Sequence, residues 1–354
     1  WNGGLRLVEP TDRREQWNIG YRKIAMLYDS QSQRLKPFLY LLLVFLTTNV
    51  LPTANAAPAL FSNGKNSFSV RINHIETPYR IAAVFVLPRE IVSIEALTDN
   101  RGASFQLQDS NGRLIKGKAR RWRWQAPAQP GNYTLMLSRD RQAEATLIHV
   151  LVMVPFNRLK DEQLNGYRIG RYPSKVYKNL PVYLPPRGFI EVTAQNLELR
   201  VSPHFKLAQF LCKQNGGFPK YLVLKEQLVL KLELLLEKVN ANRFRCSTFN
   251  VLSGYRTPYY NHSIGNVKYS RHVYGGAADI FIDENPSDDM MDDLNGDGKI
   301  NYQDALLLYN MIDGLSGQED YRVFIGGLGW YRKNQVHGPF VHVDVRGFRA
   351  RWGN

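Results

Sequence analysis

Three residues near the end of the chain have the types and spacing of a zinc site. His272 and Asp279 lie in Ser270-Arg-His272-Val-Tyr-Gly275-Gly-Ala277-Ala-Asp279, and His342 lies in Phe340-Val-His342-Val-Asp344. Two imidazoles and one carboxylate leave a tetrahedral zinc one open position, where water binds and is activated. That chemistry implies a hydrolase. The ligands must then be held by rigid elements. His272 is expected in a loop, with Gly275 and Ala277 keeping the following turn small, and Asp279 at the start of a strand. His342 is expected on a second strand, whose Val341 and Val343 face the other way.

A second metal signal stands between Asp279 and His342. The run Asp293-Leu-Asn295-Gly-Asp297-Gly298-Lys299-Ile300-Asn301-Tyr-Gln-Asp304 matches an EF-hand calcium loop. Oxygen side chains fall at loop positions one, three, five, nine and twelve, a glycine at six, and the Lys299 carbonyl at seven. Asp304 stands where glutamate is usual, which resembles the dockerin variety of the loop. Ala305–Ile312 is the expected exiting helix, and the insert runs over 286–314. An acidic surface loop without metal is the bland alternative.

The elements around these residues divide the chain. Residues 58–155 alternate apolar and polar side chains in short runs, as in Phe68-Ser-Val-Arg-Ile72 and Ala82-Ala-Val-Phe-Val86, with a turn at Asp109-Ser-Asn-Gly112. This predicts an all-β, immunoglobulin-like sandwich over 57–155. Its basic run, Lys116 to Trp124, either grips an anionic glycan or simply turns Trp into the core and Arg to solvent. Residues 156–199, rich in Gly, Pro and Tyr, read as a linker with short β elements. From 200 to 354 the pattern is α+β, helices on a small antiparallel sheet. A helix start is expected at Ser202-Pro203, a strong helix over Lys220–Val239, and strands over Thr248–Leu252, Ala278–Ile282, Val323–Ile325 and Val341–Val345.

The chain has 354 residues and a formal net charge of +15. From Arg200 onward there are 19 basic and 16 acidic residues, so the front part holds 27 basic and 15 acidic. A basic front half attracts an anionic surface, and no nucleic-acid-binding motif is present. Arg34 and Lys36, the apolar run Phe38–Leu46 and the small residues ending Ala54-Asn-Ala56 read as an export signal with a cleavage site. The apolar run is short of the about 20 residues of a bilayer span. The expected location is therefore periplasmic or secreted, with membrane contact only through that segment, and 1–56 is set aside from the fold. The two cysteines, Cys212 and Cys246, are either a disulfide of an oxidising compartment or two buried thiols.

The segment from 200 onward resembles the zinc D-Ala-D-Ala carboxypeptidase and murein endopeptidase family, whose motif is S-x-H-x-x-G-x-A-x-D with a late zinc histidine. Ser253-Gly-Tyr-Arg256-Thr-Pro resembles the S-G-Y-R-S/T-P segment of that family. Gly327-Leu-Gly-Trp330-Tyr331 and Phe340–Asp344 resemble its murein endopeptidase branch. The resemblance implies that His272, Asp279 and His342 bind zinc, that Arg256 and Ser270 meet substrate, and that the substrate is peptidoglycan. Arg256 also suits an oxyanion or a substrate carboxylate on chemical grounds. Trp330 and Tyr331 are candidates to wall the cleft. The family commonly carries an acid three residues before the last zinc histidine, and here that residue is Pro339. The general base is then His337 or Asp344. The rival reading is a non-catalytic, zinc-stabilised module that binds cell wall or, through the β-sandwich, a protein partner.

Overall fold

The computed structural model describes residues 61–140, 144–242 and 244–353, so the stretch read as an export signal lies outside the described residues. Alternating side chains give nine strands at the front: β1 (Lys65–Ile72), β2 (Ile75–Tyr79), β3 (Ile81–Val86), β4 (Ile91–Leu97), β5 (Phe105–Asp109), β6 (Leu114–Ile115), β7 (Arg121–Gln125), β8 (Gly131–Arg139) and β9 (Glu144–Val152). They form two sheets, β2-β1-β4-β7 and β3-β9-β8-β5-β6. The second is mixed, because β3 and β9 run parallel. Val70, Ile72, Ile94 and Trp122 from the first share a core with Leu107, Leu135, Ile148 and Val150 from the second. In β7, Trp122 is buried while Arg121 and Arg123 are exposed, so the basic run follows strand alternation.

The middle of the chain is more integrated than a linker. β10 (Val154–Pro155), β13 (Gly188–Val192) and β14 (Lys220–Leu222) form one small sheet, and β11 (Gln163–Leu164) and β12 (Tyr167–Arg168) a two-stranded one. Tyr172, Tyr183 and Phe189 are buried in the same core as the residues around the candidate zinc site.

Helix α1 (Glu226–Ala241) joins the front and back of the molecule. Leu228, Leu232, Leu235 and Leu236 face the large core. Its acidic residues face the other way. Glu226 accepts the Phe85 N–H at 3.0 Å, and Glu237 accepts Tyr79 Oη at 2.7 Å and Lys65 Nζ at 2.6 Å. Front and back accordingly fall in one compact unit, Pro58–Asn354.

The back of the molecule is built on a five-stranded sheet. Its strands are β15 (Asn250–Ser253), β16 (Ala277–Phe281), β17 (Gly327–Tyr331), β18 (Phe340–Asp344) and β19 (Ala350–Gly353), in the order β15-β16-β18-β17-β19. The last pair, β17 and β19, is parallel. Short helix α2 (Pro258–Ser263) starts at Thr257, whose side chain accepts the Tyr260 N–H. α3 (Tyr302–Asp313) lies against β17 and β18.

Three expectations need correction. No helix starts at Ser202: the Val201 N–H bonds to Phe205 O, and His204 gives its N–H to Glu233 of α1. Residues Lys220–Leu222 are strand, because Tyr221 and Leu222 pair with Glu191 and Ile190, and α1 begins only at Glu226. Val323 lies in a 3-10 turn, Glu319–Phe324, ahead of β17. Of the two readings of the cysteines the buried thiols hold: Cys212 and Cys246 are both buried and not joined by a disulfide, and burial raises both above their ordinary pKa.

Candidate metal centre

The register of the sheet brings the ligands together. Ser253 pairs with Asp279, Asp279 with His342, His342 with Gly329, and Gly329 with Trp352. Residues opposite one another point to the same face, so these five form one row across five strands. His272 comes from outside the sheet. It sits in the 3-10 turn Arg271–Tyr274, which ends at Gly275 with φ +64°. A side chain there would be strained and would run into the Val223 backbone, so glycine is required.

His272, Asp279 and His342 are all buried, and their ligand atoms converge. Asp279 Oδ1 is 2.8 Å from His342 Nδ1 and 3.2 Å from His272 Nε2, and those two nitrogens are 3.2 Å apart. The other nitrogen of each imidazole is committed elsewhere. His272 Nδ1 lies 2.7 Å from the Gly254 carbonyl, which can only accept, so Nδ1 carries the proton. His342 Nε2 donates to Asp344 Oδ2 at 3.2 Å. Both inward nitrogens are left as lone pairs beside a carboxylate oxygen, which is the donor set of a zinc site.

The charges favour a positive group at this centre. Burial lowers the pKa of His272, which favours the neutral, ligating imidazole. Burial opposes ionisation of Asp279, but the two histidines override it and hold its carboxyl well below the usual range. Burial also opposes charge on His342, and the carboxylates of Asp279 and Asp344 outweigh it and raise its pKa. The centre is therefore a place that favours a cation.

Arg256 is part of this scaffold. Its Nη2 donates to Asp279 Oδ2 at 2.7 Å and its Nε to Ser253 Oγ at 2.8 Å. It thereby fixes the outer oxygen of a candidate ligand carboxylate. Asp344 is fully buried. It accepts from His342, from the Gly327 N–H at 2.8 Å and from Arg346 Nε at 2.9 Å. Burial works to raise its pKa, but His342 and Arg346 hold it well below the carboxylate range. It orients His342 and has no oxygen without a partner.

The remaining candidates scatter. His337 lies in the loop before β18, with Nδ1 donating to the Gly338 carbonyl at 2.7 Å and Nε2 accepting from the Asn334 amide at 2.9 Å. Neither bond reaches the three ligands. Ser270 is buried just before the turn that carries His272. Trp330 points away from the ligand row, against Tyr302 of α3 with ring centroids 5.6 Å apart, so it does not wall the site. Tyr331 is on the ligand face, stacked on Phe340 at 4.6 Å. Sequence reasoning missed Trp352, whose indole is 5.2 Å from the His342 ring and donates to Tyr331 Oη at 2.7 Å. Gly329 makes room for it, since a Cβ there would collide with the indole. No local pattern announces that a terminal strand pairs in parallel with β17.

The acidic loop is arranged differently. Asp293 accepts the N–H groups of Gly296, Asp297 and Gly298, and Asp304 those of Leu294, Asn295 and Asn301. Among the described residues, the His272–Asp279–His342 group is the one in which three such side chains come within reach of a single ion. The placement of Asp293, Asp297 and Asp304 thus gives no support to calcium, because Asp304 is committed to capping α3. Asn295 and the Lys299 N–H both bond to Asp297.

No helix among the described residues is long and apolar enough to cross a membrane. No curated protein matches the chain. Among solved structures, fibronectin(III)-like modules of Clostridium thermocellum CbhA align at 17% identity and TM-score 0.16, covering 23% of this chain and 94% of that one. The polysaccharide lyase BACCELL_00875 aligns at 12% identity and TM-score 0.21, covering 72% of this chain and 32% of that one. Residues 203–298, which hold Arg256, His272 and Asp279, match the family model described as Peptidase M15, and this supports the M15 zinc peptidase family for that part of the chain.

Proposed function

We propose that the protein is a zinc-dependent peptidase acting on the peptide stems or crosslinks of peptidoglycan, as a DD-carboxypeptidase or a murein endopeptidase. The observation that carries this reading is the buried convergence of His272, Asp279 and His342, each fixed by a second partner, within and beside the M15-matching stretch. When bound, zinc supplies Lewis acidity and lowers the pKa of water. The chain's own residues do the rest. Arg256 and Asp344 hold the ligands in place. His337 is the proton acceptor we favour: it would have to release the Asn334 amide from its Nε2, whereas both oxygens of Asp344 are held by His342, Arg346 and Gly327. The basic front half, read as an immunoglobulin-like module, draws the enzyme to an anionic wall after export.

Digestion of purified sacculi with and without chelator, with products read by mass spectrometry, tests this. New, chelator-sensitive muropeptides are expected. Zinc bound without any such product would favour the non-catalytic binding module instead. We also propose calcium for the Asp293–Asp304 loop, on the spacing of its oxygen side chains alone. Thermal melting in calcium and in EGTA tests it, with a calcium-dependent rise that is lost in Asp293→Ala as the expected result.

A further inference from the structure

Arg256 commits its Nε to Ser253 and an Nη2 N–H to Asp279, and Asp344, an ionised acceptor enclosed by His342, Arg346 and Gly327, has no proton to donate. Tyr331 is differently placed. It follows Gly329 by two residues on β17, and Gly329 pairs with His342, so the Tyr331 side chain shares the face of the ligands. Its ring lies flat on Phe340, with an interplanar angle of 13°. Its hydroxyl oxygen accepts the Trp352 Nε1–H at 2.7 Å, and that indole lies 5.2 Å from the His342 ring. The hydroxyl is thus one indole away from a metal ligand, and its own proton is not used in that bond.

We propose that Tyr331 is a catalytic hydrogen-bond donor to the oxygen that becomes negative when the scissile carbonyl is attacked, and that Trp352 is the positioning residue that holds its hydroxyl there. The inference rests on the peptidase reading above. A donor fixed before the reaction needs no reorganisation as charge develops, which is why such groups are effective. The Trp352 N–H polarises the phenol oxygen, and the stack on Phe340 limits rotation of the ring. Burial raises the pKa of Tyr331 although Trp352 opposes it, so the hydroxyl keeps its proton at neutral pH. Asp279 and Arg256 both act on this hydroxyl, in opposite directions, as expected for a group beside the centre.

The test compares wild type, Tyr331→Phe and Trp352→Phe, all loaded with zinc and checked for metal content and melting temperature. Two measurements are made: kcat and KM on a purified crosslinked muropeptide, and calorimetric affinity for a phosphinic acid analogue of D-alanyl-D-alanine against D-alanyl-D-alanine itself. Tyr331→Phe should keep zinc and KM, lose about 10²- to 10³-fold in kcat, and weaken the phosphinate while leaving the dipeptide unchanged. Trp352→Phe should show the same kcat-only pattern with a smaller loss. Unchanged kcat in Tyr331→Phe overturns the inference. If wild type cleaves nothing, the peptidase reading fails, and the inference is then decided by the phosphinate: equal affinity in wild type and Tyr331→Phe overturns it.

Discussion

Two stretches of this chain carry metal-binding patterns, and the fold treats them in opposite ways. His272, Asp279 and His342 are far apart in sequence and arrive from a turn and two strands. Their ligand atoms meet within 3.2 Å of one another. Asp293, Asp297 and Asp304 are close in sequence, yet Asp293 and Asp304 turn their carboxylates to the loop's own N–H groups. The first is a centre assembled by tertiary structure. The second is a loop whose oxygens serve local structure. Spacing in sequence is thus a poor guide to readiness; what counts is whether each ligand has a second partner that turns it inward.

The largest effect that would break the contrast is at the assembled centre. His272→Ala or His342→Ala should abolish stoichiometric zinc and lower hydrolysis by about 10³-fold or more, because the metal contributes several kcal/mol to the reaction. Metal analysis beside a sacculus assay checks both. Next is Asp344→Asn, which keeps the shape but weakens the grip on His342. Zinc affinity should fall about 10- to 100-fold in a competition titration, and an unchanged affinity would remove Asp344 from the scaffold. Asp304→Ala should cost about 1 kcal/mol through loss of the α3 cap, read by urea denaturation, with zinc affinity untouched. Smallest is the response of the loop to ions. Calcium should slow proteolytic cleavage within 293–304, whereas zinc should leave that cleavage rate unchanged; protection by zinc would show that the two regions are coupled.

Much of this was legible in the sequence. The three side chains that converge, the strands that bear Asp279 and His342, the α3 helix and the alternating β pattern of the front half all followed from residue type and period. What escaped depended on pairing over distance. Tyr221 and Leu222 look like the first turn of a leucine-rich helix, but β13 claims them as strand. Ser202-Pro203 has the chemistry of a helix start, but Glu233 takes the N–H of His204. Arg256 was visible as important, yet its partner, the outer oxygen of Asp279, is defined only once β15 and β16 are in register. Trp352 carried no local signal, because its position depends on a parallel strand at the sheet edge and on the missing side chain of Gly329.

The row Ser253–Asp279–His342–Gly329–Trp352 has a consequence for biogenesis. A slip of one residue between neighbouring strands turns every side chain of the slipped strand to the opposite face. Any such error between β16 and β18 would send either Asp279 or His342 into the side packed by α3, and the donor set would be dismantled. On the zinc reading proposed above, retention of the ion would report strand alignment. A misregistered chain that is compact enough to survive proteolysis would still fail to hold the ion, so the metal would act as a proofreader of the sheet.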